Sequence, residues 1–130
     1  MTLEEFRIKH SEIIEQYQLV EHHLEGIFAL IANGDFEELA HRVENDTMGE
    51  LIRKVRFMVK ENNIGLIDKN DFSVLEEIRD ERNYWCHQCY LDIKKSGNES
   101  INIYKRINIE LIKVKNMNLK LRDVFKKLSY

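Results

Sequence analysis

Arg82 and His87, five positions apart, are the residues of this chain best suited to chemistry on a phosphodiester. They lie in the stretch Asp80-Glu81-Arg82-Asn83-Tyr84-Trp85-Cys86-His87-Gln88-Cys89-Tyr90. Histidine changes charge near neutral pH, so it can take a proton from an attacking oxygen or give one to a leaving oxygen. A guanidinium stays charged, and its planar fork donates paired hydrogen bonds to a phosphate. Metal-free RNA cleavage needs a base for the 2′-hydroxyl, an acid for the leaving 5′-oxygen and positive charge beside the phosphorus. One copy of the stretch supplies a single histidine. A two-fold dimer brings two Arg–His sets together and can supply both acid and base.

The residues around them predict one helix from Asp71, its N-cap, to about Lys94. Leu75, Ile78, Trp85, Cys89 and Ile93 form its apolar stripe, and Arg82 falls in the middle of that stripe. A charge there is costly unless it has partners. Asn83 and His87 share a neighbouring face, with Tyr90 three residues on and Phe72 at nearly the same angle as Tyr90. Asn83, one turn before His87, is placed to orient its ring. The directions of Arg82 and His87 differ by about 140° on an ideal helix. They need not converge within one chain, so Arg82 can brace the helix while His87 faces a cleft. The residue-level alternative makes Arg82 a salt-bridged or snorkelling side chain and His87 a packing histidine.

Arg82-Asn83-x-x-x-His87 resembles the R-x4-6-H motif of the HEPN superfamily, preceded by the polar lead-in Arg79-Asp80-Glu81. The match is residue by residue only over 82–87; elsewhere it is one of architecture. The resemblance implies an all-α, up-and-down bundle, commonly dimeric. It implies a metal-independent endoribonuclease without cofactor, with Arg82 and His87 catalytic, Asn83 and Tyr90 supporting, and the site composite at a homodimer interface. Its setting would be a bacterial toxin–antitoxin or defence system, with RNA as substrate and a neutralising antitoxin as partner. Some members only bind, so the alternative is an inactive nucleotide- or protein-binding module. A purely structural dimer is a third reading. Tyr90 follows His87 by three, whereas the subgroup whose tyrosine is modified by a nucleotidyltransferase reads His-x-Tyr.

Other chemistry has less support. Cys86-His87-Gln88-Cys89 supplies only one cysteine pair, and structural zinc takes four ligands. A dimer sharing two pairs is the remaining route. A redox pair belongs at a helix N-terminus, where the thiol pKa falls, and these cysteines lie deep within a helix. Both are read as core packing. His22 and His23 lack a cysteine or carboxylate at ligand spacing and read as surface or interface. No Mg²⁺-type carboxylate cluster stands out on the motif face.

The chain has 130 residues, no proline, five glycines, 43% hydrophobic and 33% charged residues and a net charge of −3. That describes one soluble domain, 1–130, with long helices and no membrane span, in the cytoplasm. The acidic, amphipathic N-terminus is unlike a signal peptide. The charge argues against a broadly basic nucleic-acid coat but leaves room for a local patch. The pattern predicts four long helices and one short one. The first runs to Ala32, capped by Thr2 with Glu5 and stopped by Asn33-Gly34. A short helix, Phe36 to about Val43, follows Asp35. The next is capped by Thr47 with Glu50 and carries Arg53, Lys54, Arg56 and Lys60 outside, either a solvated face or a phosphate-contacting one. After the motif helix and a loop at 96–100, the last helix runs from about Ile101 to Leu128. Lys113, Lys115, Lys120, Lys126 and Lys127 lie on its outside.

Overall fold

Each of the first three helices begins where a side-chain oxygen accepts a backbone N–H of the first turn. Thr2 accepts from Glu5, Asp35 from Glu38 and Thr47 from Glu50, at 3.1–3.2 Å. The computed structural model describes residues 1–96 and 100–130, the side chain of Ser100 excepted. It contains α1 (Leu3–Ala32), α2 (Phe36–Val43), α3 (Met48–Glu61), α4 (Lys69–His87), α5 (Cys89–Ser96) and α6 (Ser100–Leu128). The expected loop at 96–100 falls largely outside the described residues. α1 ends on Asn33, which itself takes the left-handed conformation (φ 52°) expected of Gly34. Asparagine tolerates that region better than most residues because its short side chain can bond locally.

Both bounds expected for the motif helix need correction. The N-cap of α4 is Asp68, not Asp71. Asp68 accepts from the Asp71 N–H at 2.8 Å, and the Asp71 carboxylate accepts from the Asp68 N–H at 3.0 Å. This reciprocal capping box makes Asp71 the third helical residue. The expected motif helix is also two helices, interrupted at Gln88 (φ −121°, ψ −28°). The described residues therefore form six helices instead of the five expected.

Contacts between helices fix their directions. Phe6 stacks against Tyr104, Tyr17 bonds Glu110, His23 meets Asn118 and Gly26 faces Phe125. α1 and α6 therefore run parallel. A methyl at Gly26 would come within 2.9 Å of the Phe125 ring, so the glycine permits that close approach. α4 runs against α6, with Lys120–Asp71, Lys113–Glu77 and Arg106–Glu81 as successive pairs. α3 runs against α4, with Arg56 on Phe72 and Glu76 near one end and Gly49 on Arg79 near the other. Between α1 and α3, short α2 turns back along α1, with Phe36 against Phe125 and Ala40 in the cleft beside His22. The order is thus up, down, up, down, up, with α2 as the short second passage and α4–α5 together as the fourth.

The core is one cluster running through α1, α3, α4 and α6, with Trp85, Tyr17 and Phe6 its largest buried side chains. Phe72 belongs to it and is buried, which corrects its expected place beside Tyr90 on an outer face. Glu110 is also buried, at 3% exposure. It accepts from the Tyr17 hydroxyl at 3.1 Å and has Lys113 Nζ at 3.6 Å. Burial, incompletely offset by Lys113, pushes its carboxyl up from 4.5 to about 7. Between those pH values the folded chain holds a proton that the unfolded chain has released. The stability tied to Glu110 is therefore complete below the unfolded value and is lost as pH rises through the folded one. Urea unfolding should show Glu110 costing on the order of 2 kcal/mol between pH 5 and pH 8. Glu110→Gln should remove that component. An identical pH dependence in the variant would refute it.

Candidate functional site

The motif occupies the last two turns of α4, where Arg106 of α6 holds the helix through Glu81 and Tyr84. Glu81 reaches α6, accepting from Arg106 Nη2 at 2.8 Å and Nε at 3.2 Å. The same carboxylate accepts from the Trp85 indole N–H at 3.0 Å. The Arg106 guanidinium lies over the Tyr84 ring, 3.9 Å from its centroid. Stacking and a two-point carboxylate contact together use the planar fork fully.

The helix breaks just past His87. The Gln88 N–H closes the last turn onto the Tyr84 carbonyl at 2.9 Å. The next carbonyl, of Trp85, meets His10 Nε2 of α1 at 2.7 Å and accepts from Cys89 Sγ at 3.3 Å. Side chains thus satisfy this carbonyl at the break. Asp92 braces the other side, accepting from the Tyr84 hydroxyl at 2.9 Å and the Gln88 amide at 3.2 Å. The break directs Tyr90 to α1, where its ring packs edge-on against Phe6 and His10 with centroids 5.5 and 4.9 Å away.

The structure separates the predicted site residues. Arg82 turns toward α1, its Nε 3.2 Å from Glu21 Oε1, with the side chains 34% and 21% exposed. Glu21 Oε1 is buried and makes no directed hydrogen bond, so the contact is an ion pair. Burial pushes the Glu21 carboxyl up, and Arg82 pulls it back down. His87 is exposed on the outer side of α4. Among the described residues it makes no hydrogen bond or ion pair. Asn83 is exposed and makes no hydrogen bond to His87. It therefore does not orient the ring within one chain. Cys86 is exposed, against the core packing expected of it, because it lies beyond the edge of the apolar stripe; Cys89 is buried.

The basic run on α3 is partly committed to structure. Lys54 pairs with Asp46, while Arg56 pairs with Glu76 and lies over Phe72. Lys113, Lys115, Lys120 and Lys127 also have acidic partners. His23 bonds Asn118 at 3.1 Å, and burial lowers its pKa. Among the described residues no group of three His, Cys, Asp or Glu side chains converges to hold a metal ion.

His10, Glu21 and Glu110 are the residues that sequence reasoning missed. Glu110 carries a usable signal, because it shares the helical stripe of Ile107, Leu111 and Val114. Glu21 and His10 lie at the edges of the α1 stripe and become meaningful only once α4 is packed there. No protein-family model, curated protein or solved structure matches this chain.

Arg82 and Glu21 should show coupling of about 1 kcal/mol in a double-mutant cycle of unfolding free energies, modest because both are partly exposed. His87→Ala should change stability by no more than about 0.5 kcal/mol. Zero coupling, or a strongly destabilised His87→Ala, would contradict this assignment.

Proposed function

We propose that this protein is a metal-independent endoribonuclease of the HEPN type, with its site completed across a pair of chains. The observation that carries the reading is the contrast between the two motif residues. Arg82 is held from its Nε side by Glu21, while a third of the side chain stays open to a phosphate. His87 stands exposed on the same helix, with no hydrogen-bond or ion-pair partner among the described residues. One chain presents one such histidine, whereas 2′-hydroxyl attack and 5′-oxygen departure each need a proton transfer. A second copy docked on the outer side of α4 supplies the other. Arg82 stabilises charge on the phosphorus oxygens, and His87 moves the proton. A neutralising protein would act by covering the same side of α4.

In this mechanism the 2′-oxygen attacks phosphorus, the bond to the 5′-oxygen breaks, and the 2′-proton leaves to one histidine. The other histidine protonates the 5′-oxygen. Cleavage should persist in chelator, spare substrates that lack a 2′-hydroxyl and leave cyclic phosphate ends. His87→Ala should lower the rate at least about 10²-fold with the helical spectrum unchanged. Arg82→Lys should not restore full activity, since an ammonium lacks the fork. Excess His87→Ala chain should depress wild-type activity by forming mixed pairs. Wild-type cleavage by His87→Ala would end the proposal. RNA or nucleotide binding at this face without cleavage would instead favour a binding module.

A further inference from the structure

The helix pair α1 and α6 carries a second outer face, on the opposite side of the bundle from His87, and an apolar stripe runs along each helix of that face. Ile8 and Leu19 of α1 and Ile101, Ile112 and Leu119 of α6 are all exposed, Ile112 at 62%. On each helix these residues share one side at helical spacing. Because the helices pack in parallel, the two stripes lie side by side. Leu19 and Leu119 line one groove with Gln16, His23 and Asn118. Helices of about 30 residues are about 45 Å long. A pair of them about 10 Å apart presents on the order of 800 Å², the usual contribution of one partner to a stable interface.

The charges bordering this face are divided by helix. From Ser11 to Ala32, α1 has no lysine or arginine, and its outer side carries Glu4, Glu12 and Glu15. The outer side of α6 carries Lys105, Lys115 and Arg122 and one carboxylate, Asp123, which is paired with Lys127 of the same helix. Lys115 already reaches across to Glu12 within the chain. The register set by Phe6 on Tyr104 and Gly26 on Phe125 places Leu19 level with Leu119 to within a turn, Glu15 with Lys115, and Glu4 with Lys105.

We propose that this face binds a second copy of the same chain about a two-fold axis parallel to α1 and α6. Such an axis lays α1 of each copy on α6 of the other at the same height. Acidic edge then meets basic edge twice, and leucine meets leucine. A two-fold across the helices would instead place α1 on α1 and α6 on α6, setting like charges together. Charge therefore selects the parallel arrangement. The pair leaves both α4 helices outward. The contact that joins two His87 surfaces is a separate one on the other side of the bundle, and this pair forms without it.

Sedimentation of the full chain at micromolar concentration tests this without any activity assay. Ile112→Arg should halve the mass of the wild-type assembly, whereas Phe57→Arg, on exposed α3 surface, should not. Glu4→Lys/Glu15→Lys and Lys105→Glu/Lys115→Glu should each halve the mass alone, and an equimolar mixture should restore it. Circular dichroism checks that each variant keeps its helix content. If Ile112→Arg misfolds, the mixing experiment decides. A monomeric wild type, an unchanged mass in folded Ile112→Arg, or a mixture that fails to reassociate would overturn the proposal. Loss of nuclease activity alone would bear only on the function proposed for His87.

Discussion

The parallel packing of α1 against α6 is the constraint on which the rest of the molecule depends. Two helices of 29 and 30 residues joined in parallel require an odd number of passages between them. The chain makes three: short α2 down, α3 up, and α4 with α5 down. This lays α4 across both long helices. α1 then supplies a polar partner wherever another helix departs from a simple apolar stripe. His10 meets the Trp85 carbonyl at the α4 break, Tyr17 donates to buried Glu110, and Glu21 pairs with Arg82. Each is an off-pattern group whose burial would be costly without that partner.

The same geometry divides the motif. Arg82 faces α1 and His87 faces away from it, as their spacing on a helix requires. The break after His87 then takes Tyr90 out of register and packs it on Phe6 and His10. A single chain consequently presents an anchored guanidinium and an exposed imidazole on different sides of one helix.

Much of this was legible locally. Caps at Thr2, Asp35 and Thr47 act over three residues, so their sequence signatures gave the helix starts directly. The start of α4 was misplaced because Asp68 and Asp71 each look like a cap, and only their reciprocal bonding decides between them. The break at Gln88 had no local sign: there is no glycine or proline near it, and the apolar stripe continues through Cys89. The carbonyl left open there is met by His10, far away in the chain. The pairing of Arg82 with Glu21 was hidden for the same reason. That Arg82 needed a partner could be read from its place in the stripe; which partner could not. Helical spacing alone overestimated the reach of Tyr90 toward His87, because it assumed an unbroken helix; Asn83 shares the unbroken helix with His87 but makes no bond to it.

The central claim is that α1 anchors Arg82 through Glu21 and so keeps it apart from His87 within one chain. The mobility of the Arg82 side chain tests this most directly, by nuclear magnetic resonance relaxation in the intact protein. The Arg82 guanidinium should be ordered in the wild type and become as mobile as a surface arginine in Glu21→Gln. An Arg82 guanidinium that is already as mobile as a surface arginine in the wild type, or one unchanged by Glu21→Gln, would contradict it.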